Sequence, residues 1–157
     1  MASIAYRPLL AGERAPVLEV FAGLSERSCS LRFLGSKPRL LESDLAHLVD
    51  VGRCGREAVA AIVQESGRTV GIARFVRDDD RPEAEIAFAV VDEWQGRGLG
   101  KRLLAELRGV AREQGILRFR ALVAHGNSPA FALVRSLGDV LARDYVDGNV
   151  ELVVRLA

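Results

Sequence analysis

Hydrophobic and polar residues alternate with a period of two along several stretches of the chain, which is typical of strands with one buried face. In AEIAFAVV (residues 84–91) one face would carry the bulkier apolar side chains, Ile86, Phe88 and Val90. The other face would carry one charge among small apolar residues: Glu85, Ala87, Ala89 and Val91. The pattern therefore predicts a strand with an acidic side chain near its start.

The remaining strand candidates have similar patterns, and two of them would form a hairpin around the turn residues Ser66–Gly67. In chain order these candidates are Ile4–Pro8, Ala58–Gln64, Thr69–Arg77, residues 116–124, Val140–Tyr145 and Val150–Leu156.

Apolar residues recur at helical spacing after residue 98 and would end near Gly115. The stripe consists of Leu99, Leu103, Leu107, Val110 and Ala111. Residues 127–138 predict another helix, with Ser128 as N-cap, Pro129 as its first residue and Gly138 beyond its end. Earlier helices are expected at residues 13–21 and 25–33, and a third after a cap at Ser43 or Glu42.

The predicted order is one strand, two or three helices, three strands, a helix, a strand, a helix and two strands. An antiparallel meander followed by alternating helices and strands indicates a mixed α/β (α+β) protein and not a doubly wound parallel sheet. The length of 157 residues favours a single domain over residues 1–157, with a core large enough to fold alone.

Composition argues against several classes of function. The net charge is +1, so no general basic field would hold nucleic acid. The 2 cysteines are too few for a disulfide framework or a zinc site, and no metal site is expected. Neither a leader nor an apolar stretch long enough for a membrane span is expected from the sequence, which predicts a cytoplasmic protein.

Three alternating glycines lie in VDEWQGRGLGKRLL (residues 91–104), between the Glu85 strand and the leucine-rich helix. Glycine in a first helical turn costs up to about 1 kcal/mol relative to alanine, so a requirement for bare backbone is expected. The spacing fits neither a Walker A loop nor a dinucleotide fingerprint. Two alternatives remain open: a tight turn, or an anion site at the helix N-terminus with Arg97, Lys101 and Arg102.

QGRGLGKRLL (residues 95–104) resembles the acyl-CoA loop of the GNAT superfamily of N-acetyltransferases, whose pattern is Gln/Arg-x-x-Gly-x-Gly/Ala. The preceding strand, the following helix and the later Asn127-x-x-Ala130 helix extend the resemblance over essentially the whole chain. It implies a GNAT fold, a mixed and mostly antiparallel sheet of about six or seven strands flanked by helices. It also implies acetyl-CoA as co-substrate.

The resemblance also implies which residues bind the co-substrate. Loop amides would hold the pyrophosphate of coenzyme A, and the pantetheine arm would lie in a gap between the Glu85 strand and the following strand. The arm would bond to backbone near Val90 and Val91, with Asn127 on its far side. The loop residues so implied are Gln95, Gly96, Arg97, Gly98, Leu99, Gly100, Lys101 and Arg102.

Three further stretches, at residues 24–33, 48–52 and 57–63, are similar to the acetyltransferase domain of bacterial protein lysine acetyltransferases. Those enzymes modify acyl-CoA synthetases and other proteins. In many of them the domain is fused to a cyclic-nucleotide-binding or a synthetase-like domain, and neither is expected within these 157 residues.

Glu85 is the candidate general base. Acetyl transfer needs a neutral amine, whereas a free lysine, with a pKa of about 10.4, is almost wholly protonated at pH 7. Ala87 and Ala89 on the same strand face leave space for a substrate beside the carboxylate, and the resemblance implies the same role. The alternative is an exposed charge at the start of a strand, and Glu83, in the turn, is a weaker candidate for the base.

The general acid is not identified by the sequence. Many GNAT enzymes carry a tyrosine four residues after the position of Ala130, whereas this chain has Val134. A thiol with a pKa of about 8.5 leaves largely unaided, and Tyr145 or His125 could substitute. His47 and Cys29 are expected to be structural, and Cys54 to be exposed.

Three functions are compatible with these features. We favour an N-acetyltransferase that acts on a protein lysine, with acetyl-CoA and a protein such as an acyl-CoA synthetase as partners. The same chemistry on a small amine is the alternative, and a catalytically silent acyl-CoA-binding module is a third. Glu85 argues against the third, because a binding module needs no carboxylate beside the thioester. The chain would act as a monomer or homodimer.

Overall fold

The strands form one mixed sheet in the computed structural model, which describes residues 2–25 and 40–157. They are β1 (Ile4–Pro8), β2 (Arg56–Val63), β3 (Thr69–Arg77), β4 (Glu83–Val90), β5 (Arg118–Ala124), β6 (Gly138–Val146) and β7 (Asn149–Leu156). Their order in the sheet is β1-β2-β3-β4-β5-β7-β6. Among these described strands β4 and β5 pair in parallel and all other neighbours are antiparallel.

The helices flank this sheet. They are α1 (Arg14–Ala22), α2 (Glu42–Leu48), α3 (Leu99–Glu113) and α4 (Ser128–Arg135), and a short 3-10 turn spans Asp92–Trp94. The element order confirms the mixed α/β prediction, whereas the helix expected at residues 25–33 falls almost wholly outside the described residues. Within the described part of the chain, no helix is both long enough and apolar enough to cross a bilayer.

The main core lies between the sheet and α3. The helix buries the predicted stripe, with Leu104 in place of Val110, which is only partly buried. Gly71 in β3 allows this close approach, since a Cβ there would lie 2.7 Å from Leu103 Cδ1. A smaller cluster lies under α1 and α2 on the opposite face of the sheet: Leu9, Val17, Leu45, Val51 and Ala58.

Two helix starts differ from the sequence prediction by one residue or more. The N-cap of α2 is Leu41, not Ser43 or Glu42, and the Asp44 carboxylate accepts from the Leu41 N–H at 2.9 Å. The N-cap of α4 is Asn127, not Ser128, because the Asn127 side chain accepts from the Ala130 N–H at 3.3 Å. Asparagine and serine are about equally good N-caps, so residue type alone did not decide between the adjacent Asn127 and Ser128.

Candidate active site

The site lies where β4 and β5 separate. Their parallel pairing runs from Glu83 with Arg118 to Ile86 with Ala121, and no further pair follows in the described residues. Beyond that point a cavity of about 880 Å³ lies between the strands and reaches the N-terminus of α3. The expected gap between these strands is therefore present.

The cavity is lined by five parts of the chain. β4 contributes Glu85–Val90 and β5 contributes Ala121–Ala124, while the 3-10 turn and loop contribute Asp92, Trp94, Gln95, Gly96 and Gly98–Lys101. The α4 side adds Gly126, Asn127, Pro129, Ala130, Ala132, Leu133 and Ser136. Leu24 and Ser25, just after α1, complete the lining. Sequence patterns missed these last two, because residues so distant along the chain carry no local sign of their contact.

Two of the three loop glycines are required by backbone conformation. Gly96 has a φ of +75° and Gly98 a φ of +80°, both in the left-handed region that favours glycine. A Cβ at either position would meet no atom within 4 Å, so space is not the constraint within the described residues. These two glycines thus satisfy the turn interpretation and also leave the backbone open toward the cavity.

Gly100 is required by packing instead. It lies inside α3 with ordinary helical backbone, and a Cβ there would lie 3.0 Å from Leu133 Cδ1 on α4. The same Cβ would lie 3.8 Å from Val90 Cγ2. Gly100 therefore lets α3 and α4 approach each other beside the end of β4.

The N-terminus of α3 is an uncapped positive end that faces the cavity. The first N–H groups of a helix have no intrahelical partner and carry the positive end of the helix dipole. The N-cap Gly98 has no side chain, and the first turn contains no acidic residue. Lys101 lines the cavity beside these amides. The residues present therefore fit a diphosphate such as that of coenzyme A.

Two of the predicted phosphate-binding cations are engaged elsewhere. The Arg97 guanidinium lies over the Trp94 ring at 4.7 Å from its centroid. The Arg102 guanidinium lies 5.0 Å from the Tyr6 centroid and donates to Glu106 at 2.9 Å. Burial raises the pKa of Tyr6, and Arg102 opposes that rise. Neither arginine lines the cavity in this conformation, whereas Lys101 does.

Val90, Val91 and Gln95 join the strand to the loop. The Gln95 side-chain amide donates to the Val90 carbonyl at 2.9 Å, which ties the loop to the end of β4. Val91 lies one residue beyond the strand and is fully buried, and its N–H donates to the Val70 carbonyl at 2.9 Å. Val90 and Gln95 therefore line the cavity, and the buried Val91 side chain is not part of the lining.

The candidates for a general acid are not among the described residues that line the cavity, although His125 lies between the lining residues Ala124 and Gly126. Val134, four residues after Ala130, is fully buried. Tyr145 on β6 is 73% exposed, and His125 is an exposed loop residue. Neither residue belongs to the cavity lining given above for the described chain. The structure thus provides no support for either as the proton donor.

Glu85 projects from β4 into the lining of the cavity, and its side chain is 61% exposed. Its register partner on β5 is Arg120, and the Arg120 guanidinium donates to Glu85 Oε2 at 3.1 Å. The sequence did not reveal this pair, although Arg120 lies in a strand pattern. Only the parallel register places the two residues on the same face.

Arg120 is held by further carboxylates at the turn between β3 and β4. It donates to both oxygens of Asp78, at 3.2 Å for Oδ1, and to Glu83 Oε2 at 3.0 Å. These bonds lower the pKa of Asp78, with the Arg120 hydrogen bond as the largest cause. The hydrogen bond to Asp78 is also the largest cause of the raised pKa of Arg120.

His47 and Cys54 are not part of the cavity lining. His47 is exposed at the end of α2; desolvation and then Arg74 and Arg56 lower its pKa, and the negative charges of Asp50 and Glu85 oppose that change. Cys54 is exposed, as expected, and Cys29 lies outside the described residues.

The family model of the acetyltransferase (GNAT) family matches residues 30–139. This chain belongs to the GNAT family of acetyltransferases. It is therefore an acetyltransferase with acetyl-CoA as its co-substrate, as the loop motif predicted. One structure with the same fold, PaiA N-acetyltransferase from Thermoplasma acidophilum, is a complex with coenzyme A.

Two proteins illustrate how this chain relates to other acetyltransferases. Acetyltransferase PA5475 of Pseudomonas aeruginosa is 31% identical over 153 residues, which are 96% of this chain and 82% of that protein. Acetyltransferase Pat of Mycolicibacterium smegmatis is 38% identical over 79 residues, which are 50% of this chain and 24% of Pat.

Solved structures of acetyltransferases are also similar to this chain. The GNAT domain of S. lividans PAT superposes with a TM-score of 0.87 at 27% identity, covering 99% of this chain and 97% of that domain. A mutant of the cAMP-binding acyltransferase from Mycobacterium smegmatis superposes with a TM-score of 0.65 at 27% identity. That match covers 98% of this chain and 44% of the acyltransferase, so this GNAT acetyltransferase spans less than half of it.

Proposed function

We propose that this GNAT acetyltransferase acetylates the side-chain amine of a protein lysine, with Glu85 as the general base. The observation that carries the proposal is that Glu85 lines the cavity between β4 and β5 while its side chain stays 61% exposed. A carboxylate in this position can meet an amine that enters from solvent. The resemblance of residues 24–33, 48–52 and 57–63 to bacterial protein lysine acetyltransferases supports a protein as the acceptor.

In this proposal acetyl-CoA binds along the carboxyl end of β4 and the N-terminus of α3. The loop amides from Gln95 to Lys101 hold the pyrophosphate, and Lys101 adds a positive charge. Val90 and Val91 hold the pantetheine arm through their backbone, and Asn127 lies on its far side. Arg97 and Arg102 would reach the phosphates only after leaving Trp94 and Tyr6.

The reaction is a direct transfer. The Glu85 carboxylate accepts a proton from the acceptor ammonium or, through water, from the attacking amine. The amine nitrogen forms a bond to the thioester carbonyl carbon, and the carbon–sulfur bond breaks. Coenzyme A leaves as a thiolate, which is stable enough to depart without an acid from the protein. Where Glu85 has taken the proton of the ammonium, this thiolate takes up the second proton that the nitrogen loses as the amide forms.

The surroundings of Glu85 favour a protein lysine over an enclosed small amine. A small amine needs a closed pocket with acidic anchors, whereas Glu85 is largely exposed at the cavity. Asp44, Asp50 and Asp144 are not part of the lining, whose acidic residues in the described chain are Glu85 and Asp92. Two further predictions belong with this proposal: that the protein is cytoplasmic, and that it acts as a monomer or homodimer.

The test measures thiol release from acetyl-CoA by the purified protein. One reaction contains a bacterial protein extract, and parallel reactions contain a panel of small amines. Glu85→Gln is compared with Glu113→Gln, the same chemical change at an exposed site on α3. Binding of acetyl-CoA is followed by fluorescence of the chain's single tryptophan, Trp94, which lines the cavity.

We expect release with the protein extract, a loss of about 10²- to 10⁴-fold in Glu85→Gln, and no change in Glu113→Gln. Acetyl-CoA should bind both variants equally. Thiol release with one small amine and not with the protein extract would mean that the acceptor is a small amine and not a protein lysine. Binding without release would indicate a silent module, and full activity of Glu85→Gln would remove Glu85 as the base.

A further inference from the structure

We propose that Arg120 is a positioning residue for Glu85. Its guanidinium fixes one oxygen of the Glu85 carboxylate and leaves the other for the acceptor amine. The inference deepens the proposed function and rests on Glu85 being its base. It concerns a residue on the neighbouring strand, outside the loop and outside the cavity lining.

The geometry of the pair leaves one carboxylate oxygen available. Arg120 Nη2 donates to Glu85 Oε2 at 3.1 Å. Within the described residues, Oε1 of Glu85 takes part in no hydrogen bond of the structure. One bond of this kind fixes the rotation of the carboxylate but does not occupy both oxygens. A base needs both a fixed orientation and an accessible lone pair to accept a proton.

The register of the sheet sets where this happens. Glu85 and Arg120 are paired residues of the parallel β4–β5 ladder, and Ile86 with Ala121 is the last pair before the strands separate. The guanidinium therefore lies at the edge of the cavity mouth. From there it can orient a carboxylate on β4 without entering the space between the separated strands.

Arg120 is itself fixed by groups other than Glu85. Both oxygens of Asp78 and one oxygen of Glu83 accept from its guanidinium, and its side chain is only 22% exposed. Asp78 and Glu83 close the turn between β3 and β4, where the Asp78 N–H donates to the Glu83 carbonyl at 2.9 Å. The turn therefore fixes Arg120, and Arg120 in turn fixes the base.

Arg120 is shared among several carboxylates and does not pair with Glu85 alone. Oxygens of Asp78, Glu83, Glu85 and Glu151 all lie within 3.9 Å of its guanidinium nitrogens, and Arg118 also pairs with Glu83. A guanidinium shared in this way holds the Glu85 carboxylate by one hydrogen bond and leaves its second oxygen to the acceptor.

A purely structural role is the competing explanation, since Arg120 also ties the β3–β4 turn to β5. The two explanations differ in a double-mutant cycle, because a residue that acts through Glu85 has no effect on catalysis once Glu85 is gone. The cycle compares Arg120→Gln in the natural background and in Glu85→Gln. Arg155→Gln is the control, an arginine on β7 that pairs with Asp139 at 2.9 Å.

We expect Arg120→Gln to lower kcat about 10- to 100-fold, because a misplaced catalytic group loses about that much rate. The dissociation constant of acetyl-CoA, from Trp94 fluorescence, should not change. In the Glu85→Gln background the further loss should be less than about threefold. Arg120→Lys, which keeps the charge, should recover part of kcat, and Arg155→Gln should match the natural protein.

Equal losses in both backgrounds would overturn the inference, and so would a natural kcat in Arg120→Gln. If Arg120→Gln fails to fold, Asp78→Asn provides the same cycle, because it frees Arg120 from the turn. The proposed function has its own test: it is wrong if Glu85→Gln, with no other substitution, keeps the natural activity. If Glu85→Gln loses activity but the Arg120 and Asp78 variants do not, Glu85 remains the base and only the role of Arg120 is rejected.

Discussion

The glycines of the loop experience different surroundings, which shows how much depends on single residues. Gly96 and Gly98 are held at positive φ in open space, and Gly100 is held in a narrow gap beside Leu133. Gly109 also lies in α3, on its exposed side, and has neither restriction. The same residue type therefore has opposite effects on stability within one helix and its cap.

Gly98→Ala tests this contrast. We expect it to lower the free energy of unfolding by about 1 kcal/mol, because alanine in the left-handed region costs about 1–2 kcal/mol. Gly109→Ala should instead raise it by about 0.5–1 kcal/mol, since alanine is the better helix former. Urea unfolding measures both. A Gly98→Ala variant as stable as the natural protein would contradict the left-handed conformation of the N-cap.

Helices and strands are joined at their ends by specific polar contacts. Glu13, the N-cap of α1, accepts from Arg7 on β1 at 2.5 and 2.9 Å and from the Leu10 N–H at 3.0 Å. The Arg7 hydrogen bond is the largest cause that lowers the pKa of Glu13. Arg14 and Glu42 form a second pair, between α1 and α2, but Glu42 is highly exposed. Only the Arg7–Glu13 pair is shielded enough from solvent to contribute to stability.

Glu13→Gln should therefore destabilise the protein by about 1 kcal/mol at pH 7. Because the pKa of Glu13 is lowered in the folded state, its contribution is present above the unfolded pKa of about 4.3 and is lost as the pH falls below it. The difference in free energy of unfolding between Glu13→Gln and the natural protein should then shrink below about pH 4. Unfolding curves from pH 3 to 7 measure it, with Glu42→Gln as a control that should change little. A penalty that does not vary with pH would indicate lost packing instead.

The elements themselves were largely predicted from the sequence. The β2–β3 hairpin, β4 and the amphipathic α3 follow from periodicity and turn residues, which act over a few neighbours. Their ends were less accurate: β6 starts at Gly138 and not Val140, and α4 is capped by Asn127. Adjacent residues with similar capping or strand preferences leave such boundaries to packing.

The whole molecule combines these elements into one binding cavity. Its walls come from residues as far apart as Leu24 and Ser136, and the uncapped N-terminus of α3 faces it. Binding of acetyl-CoA should therefore stabilise elements that are distant along the chain but meet at this cavity.

Acetyl-CoA at a hundred times its dissociation constant should raise the free energy of unfolding by about 2.7 kcal/mol. Hydrogen exchange should slow at the loop amides of residues 96 and 97 and at the amides of residues 98–101, which have no partner within α3. Glu85→Gln should show the same stabilisation, because in the proposed function Glu85 acts on the acceptor and not on acetyl-CoA. Slower exchange elsewhere but not at these amides would contradict the assignment of the pyrophosphate site.

The sequence by itself determined the mixed α/β fold, the family and the glycine loop before α3, because periodicity, turn residues and the spacing of Gly96, Gly98 and Gly100 are local properties. It also marked Glu85 as the candidate base. Only the tertiary structure decided which side chains meet that carboxylate. Arg120 lies 35 residues away along the chain, and the parallel register of β4 and β5 brings it within 3.1 Å. Likewise, Arg102 lies over Tyr6, because packing of α3 against the sheet, which no local pattern encodes, directs its side chain.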